Sequence, residues 1–248
     1  MPRWLTGGET VDEDVVVSSR VRLARNIKGH LFPNRAAADE SEAIAEEVSA
    51  VMQEEDAAFQ HFRLRDVDRI KRRVLMEQHL ISPDLIKNRA VSEYYLRDDE
   101  RMTLMVNEED HLRLQSLLPG MQLRASFDAV MDMEKKLEEK LEFAWHMEFG
   151  YLTACPTNTG TGLRASVMVH LPALKYSRQL KGTFDSLAKV GLAVRGIYGE
   201  GSEALGDMFQ ISNQRTLGFT EIEAIEKLEK ITSSIIEQER NVRTALIT

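Results

Sequence analysis

The sequence predicts an α+β fold in which helices cover a largely antiparallel sheet. Strand-like runs outnumber long helical ones and follow one another directly, and the strict βαβ alternation of a parallel sheet is absent. The first strand is read from Val15-Val16-Val17 and the SSRVRLARN that follows, because β-branched residues dominate and Arg20 and Arg22 alternate with Val21 and Leu23. That alternation puts both arginines on one face. From Asp39 onward Ile44, Val48, Val51 and Met52 recur at helical spacing among acidic residues, as in an amphipathic helix with one buried stripe.

RRVLMEQHLISP and RMTLMVNEEDH each read as a strand running into a polar turn. SFDAVMDMEKKLEEKLEFAW reads as a helix capped by Ser126, with Phe127, Val130, Leu137, Leu141 and Ala144 as its apolar stripe and Gly150 just past its end. LRASVMVHL has strand character, SRQLKGTFDSLAKVG reads as a helix closed by Gly191, and LAVRGIYGEGSE returns to a strand and a glycine turn. Thr220-x-x-Glu223 is a capping box that opens a terminal helix carrying Ile222, Ile225, Leu228 and Ile235.

The 248 residues suffice for one large domain, and 43% apolar with 29% charged residues is the balance of a globular protein. A net charge of −8 gives no global attraction to nucleic acid or to an anionic membrane. A single cysteine, no signal-peptide core and no apolar run of roughly 18 residues make the cytoplasm the expected compartment, with no membrane partner. Neither Cys-x-x-Cys nor His-Glu-x-x-His spacing occurs, so no protein-held metal is expected.

Four polar clusters fall at predicted strand ends: Ser18 to Arg22, Asn107 to Arg113, the loop CPTNTGTGLRASV from Cys155 to Val167, and RGIYGE from Arg195 to Glu200. Taken singly each has a plain reading. Glu108, Glu109 and Asp110 form a solvated turn, His79 and His111 are satisfied structural histidines, Cys155 is a small buried hydrophobe, and Gly160 and Gly162 shape a turn. Gly160-Thr-Gly162-Leu-Arg-Ala165 fits the G-x-G-x-x-A dinucleotide fingerprint, but that motif needs a strand before it and a helix after it. Here CPTN precedes and the β-prone RASVMVHL follows.

Together and in this order, SSRVRLARN, NEEDHLR, CPTNTGTGLRAS and RGIYGE resemble the signature segments of the phosphagen kinases, the ATP:guanidino phosphotransferases. The likeness runs from about Val15 to the end of the chain. LISP after His79, LPGMQL after Arg113, RASVMVHLPAL and RGIYGEGSEALGDMFQISNQ are most similar to the bacterial branch of that family that phosphorylates arginine side chains of proteins. The resemblance implies a phosphagen-kinase (glutamine-synthetase-like) catalytic domain over residues 1–248 and transfer of the γ-phosphoryl group of Mg·ATP to protein-borne arginine. Only 19 residues precede Arg20, so the separate N-terminal helical domain of the small-molecule enzymes is not expected, nor a C-terminal phosphoarginine-binding and dimerisation domain.

By the same resemblance Glu109, Glu200 and Cys155 are the catalytic residues: the carboxylates hold the acceptor guanidinium and withdraw its proton, Glu109 being the preferred base, and the thiolate biases it electrostatically. Nucleotide binding falls to Ser18, Ser19, Arg20, Val21 and Arg22, to His79 on the adenine side, to Arg113, to Arg164, Ala165, Ser166, Val167 and Met168, and to Arg195, Gly196, Ile197, Tyr198, Gly199 and Glu200. Mg²⁺ would be held through phosphates and water. Met168 and Tyr198 stand where the small-molecule enzymes carry His and often Arg. The implied partners are proteins bearing exposed arginine, a zinc-binding activator protein, a heat-shock repressor and a protein-unfolding protease system, in a setting of stress response. A kinase of a free guanidino compound and a non-catalytic nucleotide-binding adaptor are the alternatives.

Overall fold

In the computed structural model of the chain, residues 2–6, 10–55, 58–196 and 205–247 are described. In chain order they form β1 (Val16–Arg25), α1 (Ala38–Glu55), β2 (Phe59–Arg63), α2 (Arg69–Glu77), α3 (Pro83–Lys87), β3 (Glu93–Arg97), β4 (Met102–Val106), β5 (Leu112–Pro119), α4 (Leu123–Glu138), β6 (Trp145–His146), β7 (Gly150–Tyr151), β8 (Leu163–His170), α5 (Pro172–Tyr176), α6 (Leu180–Lys189), β9 (Leu192–Gly196), β10 (Met208–Asn213) and α7 (Glu221–Ile247). Eight strands make one sheet in the order β2-β3-β4-β5-β1-β8-β10-β9, and every neighbouring pair is antiparallel. The expected α+β class with a largely antiparallel sheet is what forms.

The two faces of the sheet differ because each strand alternates. Val21, Leu23, Leu114, Leu163, Ala165, Val167 and Ile211 project into the main core, where Ile44 and Val48 of α1, Val130 and Leu137 of α4, and Ile225 and Leu228 of α7 cover them. On the other face Tyr94, Met105 and Leu117 join a smaller core with Leu75, Leu80 and Leu85, which seats α2, α3 and the turn between them. The second core lies on the face that carries the arginines, since Met105 is opposite Arg113 and Leu117 is opposite Arg20. It forms one flank of the site.

Three local expectations need correction. RRVLME belongs to helix α2 rather than to a strand: Asp68 caps the helix by accepting from the N–H groups of Ile70 and Lys71, and Leu75 and Met76 meet the small core while Arg69, Lys71 and Arg73 face water. Ser126 is no N-cap. Helix α4 begins at Leu123, and the buried Ser126 hydroxyl donates instead to the carbonyl of Ser116 on β5 at 3.1 Å. The helix also ends at Glu138, so Ala144 lies beyond it and Gly150 sits on β7, where it turns a short hairpin with φ +70°. The capping box on α7 forms as read, with Thr220 N–H donating to Glu223 Oε2 at 2.7 Å and Glu223 N–H returning to Thr220 Oγ1 at 3.3 Å.

Candidate active site

Residues directly opposite one another in an antiparallel ladder project to the same side. Arg22 is opposite Arg164 on β8 and Gln115 on β5, Arg20 is opposite Ser166, and Ala24 is opposite Arg113. One strand further out Met168 is opposite Gln210, which in turn is opposite Arg195 on β9. Past a bulge in β1, Ser18 is opposite Met168. The register therefore collects Ser18, Arg20, Arg22, Arg113, Arg164, Ser166, Met168 and Arg195 on one face from four strands far apart in sequence.

These guanidinium groups crowd one another. Burial, followed by the neighbouring charges of Arg113 and Arg164, pushes Arg20 down to about 10. Arg22 is lowered well below its ordinary value by burial and then by Arg20, Arg113 and Arg164. His79, held on the small core between α2 and α3, is lowered by burial and by the charges of Arg20 and Arg22, which places it at the same cluster. The Nε atoms of Arg20 and Arg22 are shielded from water and have no hydrogen-bond partner among the described residues. A buried donor without an acceptor is costly. The phosphate oxygens of a nucleotide are acceptors of the right charge and geometry for such nitrogens, so the residues present fit ATP.

At the rim the turn Asn107–His111 is tied down by four of its five side chains. Asn107 Nδ2 donates to the carbonyl of Ser41 at 2.7 Å, and Glu108, fully buried, bonds Ser82, its neighbour's N–H and Arg113. Asp110 Oδ1 accepts from Asn26 Nδ2 and from the Ala154 N–H, both at 2.6 Å. His111 Nδ1 accepts from the Ile27 N–H at 3.0 Å and Nε2 donates to the Leu31 carbonyl at 2.9 Å, the arrangement of a neutral imidazole, and burial accordingly lowers its pKa. Only Glu109 is left partly open, its side chain 38% exposed and 3.2 Å from Arg113. Burial raises its pKa against the pull of Arg113, so its carboxylate binds a proton more readily than an ordinary glutamate.

The cysteine loop forms a further part of the wall. Cys155, half-buried, has its Sγ 3.0 Å from Thr157 Oγ1. The loop then returns to β8 through two glycines at which any side chain would clash with backbone. A Cβ on Gly160, φ +116°, would lie 2.2 Å from the Thr216 carbonyl, and one on Gly162, φ +64°, would lie 2.6 Å from the Ala24 carbonyl and from Arg25 Nη1. Beneath it Arg25 is completely buried, paired with Glu134 at 2.7 Å, donating to the carbonyls of Ala24 and Thr161 and stacked 3.3 Å over the Tyr151 ring. Together Arg22, Glu109, Arg113, Cys155, Asn158, Gly162 and Arg164 line a cavity of about 180 Å³.

The structure thus brings Glu109, Cys155, Arg22, Arg113 and Arg164 around one space, with Arg20, His79 and Ser166 beside it. Ser19, Val21, Ala165 and Val167 project to the other face: Ser19 Oγ donates to the Gly120 carbonyl and accepts from the Gln122 N–H, and the other three are core. Arg195 and Gly196 end β9. Ile197, Tyr198, Gly199 and Glu200 lie outside the described residues. Glu108 and Asp110 do not form a solvated turn: both are fully buried, because each carboxylate has donors to receive it. Asn26, Glu108 and Asp110 are the residues that reading by motif passed over, although NEEDH and LARN contain them. Their signal was the density of polar residues in a segment that the core then encloses. Among the described residues no cluster of potential metal ligands occurs, and no helix is long and apolar enough to cross a membrane.

Comparison with known proteins places the chain among its relatives. The profile of the ATP:guanido phosphotransferase C-terminal catalytic domain covers residues 40–242. The protein-arginine kinase of Halothermothrix orenii is 47% identical over 248 residues, covering 100% of this chain and 71% of that protein. The protein-arginine kinase of Bacillus subtilis is 44% identical over 239 residues, covering 95% of this chain and 66% of that protein. Among solved structures, lombricine kinase superposes with a TM-score of 0.83 at 26% identity, over 97% of this chain and 70% of that one. A duplicated taurocyamine kinase from Schistosoma mansoni with bound transition-state-analogue components gives 0.81 at 27% identity, over 96% of this chain and 34% of that one. With its arginine-lined sheet face, its presented glutamate and these relatives, the chain belongs to the ATP:guanido phosphotransferase family of phosphagen kinases.

Proposed function

We propose that this protein is an ATP-dependent protein arginine kinase, transferring the γ-phosphoryl group of ATP to arginine side chains of other proteins. The observation that carries the reading is the meeting around one cavity of Arg22, Arg113 and Arg164, with Arg20 on the same sheet face, and the presented carboxylate of Glu109. Phosphoryl transfer asks the protein mainly for charge stabilisation and alignment. The guanidinium cage supplies the first: the N–H groups of Arg20 and Arg22 donate to the phosphate oxygens, and the groups remain charged while the β–γ bridging oxygen departs with ADP. Mg²⁺, carried by the nucleotide phosphates and water, would neutralise part of the triphosphate charge.

The acceptor guanidinium has no available lone pair until a proton leaves it. Glu109, whose proton affinity burial raises above that of an ordinary glutamate and which stays open to the cavity, takes that proton as the acceptor nitrogen bonds to phosphorus. Cys155, lining the same cavity, orients the same guanidinium, and Glu200 is assigned the second carboxylate by resemblance alone. A stress-response setting, a cytoplasmic location and the activator, repressor and protease partners named by resemblance belong to this same proposal. The test is to incubate the purified chain with Mg·ATP and an arginine-bearing protein and to map phosphoarginine by mass spectrometry under non-acidic conditions. Modified arginines on the protein support the reading, whereas turnover confined to free arginine or creatine replaces it with a small-guanidine kinase.

A further inference from the structure

The catalytic glutamate and the thiol stand on separate loops, more than forty residues apart in sequence, and a buried carboxylate spans the gap. Asp110 follows Glu109 directly, and its Oδ1 accepts from the backbone N–H of Ala154, which directly precedes Cys155, at 2.6 Å. The same oxygen accepts from Asn26 Nδ2 at 2.6 Å. Asn26 completes the junction by accepting from the His111 N–H at 2.9 Å and donating to the Leu152 carbonyl at 3.0 Å. The end of β1, the glutamate turn and the cysteine loop therefore meet at one side-chain pair.

This arrangement is expensive if stability is its only purpose. Asp110 is fully buried, and among the described residues no cation pairs with it and its Oδ2 has no hydrogen-bond partner. Enclosing a carboxylate with one oxygen unsatisfied costs free energy that an apolar pair would not. What the carboxylate does provide is two short charge-assisted bonds from a single atom, stiffer than neutral ones, on the residues adjoining Glu109 and Cys155. We infer that Asp110 is a positioning residue for phosphoryl transfer: through Ala154 and Asn26 it fixes the separation of Glu109 from Cys155, and so the place where the acceptor guanidinium sits between them. The inference rests on the protein-arginine-kinase reading given above. Its geometry bears chiefly on the acceptor side, because the strand register holds Arg20, Arg22 and Arg164, and only Arg113 touches the glutamate turn, through Glu108 and Glu109.

The experiment compares Asp110→Ala, Asp110→Asn and the parent, each as the full chain, in steady-state transfer from Mg·ATP to an arginine-bearing protein. Labelling by iodoacetamide runs in parallel, and since Cys155 is the chain's one cysteine the labelling rate reports on that loop alone. Asp110→Ala should lower kcat about 100-fold, the usual consequence of a misplacement near 1 Å, with KM for ATP within about twofold. Its Cys155 should label at least threefold faster. Asp110→Asn keeps an oxygen to accept from Ala154 and Asn26, and should recover about tenfold or more of the lost kcat and the parental labelling rate. Should Asp110→Ala not fold, Ala154→Pro deletes the donor and leaves the carboxylate, with the same expected split between kcat and the ATP KM. The inference is overturned if Asp110→Ala keeps kcat and labelling near parental values, if Asn restores neither, or if KM for ATP rises in step with the loss of kcat. A parent that shows no transfer at all counts against the kinase reading, and the labelling comparison still decides whether Asp110 positions Cys155.

Discussion

Replacing Arg20 by Met should make the nucleotide-free protein more stable while removing its response to ATP. Arg20 has a shielded, unpartnered Nε and like-charged neighbours in Arg113 and Arg164, and its pKa is pushed down to about 10. The charged form is therefore penalised in the folded state at every pH below that value, and the penalty is relieved only as pH rises through it. At neutral pH the full depression corresponds to about 3 kcal/mol. Arg20 keeps part of its surface exposed, and solvent screening there reduces the realised cost to roughly 1–2 kcal/mol. Met keeps the aliphatic stem and drops the charge, so the gain should appear as a rise in Tm of about 2–8 °C for a domain of this size. Mg·ATP at about 100 times its Kd should stabilise the parent by about 2.7 kcal/mol. Loss of one charge-assisted phosphate contact, worth about 1.5–3 kcal/mol, should abolish most of that shift. Differential scanning calorimetry with and without Mg·ATP reads both effects. A variant that melts lower than the parent, or that keeps the parental ATP shift, refutes the assignment of Arg20 to the phosphates.

Three further outcomes follow from named contacts. Because Glu109 must lose its proton to act as a base and its pKa is raised by burial, kcat should fall on acidification through a midpoint above that of an ordinary glutamate, and Glu109→Gln should lower kcat by orders of magnitude with the fold intact by circular dichroism. Gly160→Ala places a methyl group 2.2 Å from the Thr216 carbonyl at φ +116°, and urea denaturation should show a loss of about 2 kcal/mol or more together with weaker activity. Arg25→Met leaves Glu134 buried without its cation and should destabilise by about 3–5 kcal/mol, while Arg25→Met with Glu134→Leu should regain much of that in the same measurement.

What the sequence disclosed follows from where the information lies. Alternation in SSRVRLA set the face of Arg20 and Arg22 because one buried side forces period two, and the capping box at Thr220 set the start of α7 because both of its bonds are local. RRVLMEQHL was misread because its apolar residues are few and its helix depends on Asp68, a cap just outside the quoted run. Ser126 was misread because a serine that caps by type can equally bond a strand carbonyl, and only the packing of α4 on β5 decides between them. In the site, Glu109, Cys155 and the arginines were legible from motifs that the resemblance gathers. Asp110 and Asn26 were not, since their roles exist only once the ends of β1, the glutamate turn and the cysteine loop are brought together.

The central claim, that the presented carboxylate at Glu109 serves transfer from the arginine-bound nucleotide to a protein arginine, is tested most directly by running the parent and Glu109→Gln side by side. Each would be given Mg·ATP labelled on the γ-phosphoryl group and an arginine-bearing protein, with free arginine as a parallel acceptor. The account predicts acid-labile label on the arginines of the protein with the parent, little on free arginine, and a loss of orders of magnitude with Glu109→Gln. Equal labelling by the two enzymes, or label that passes to free arginine and never to the protein, would contradict it.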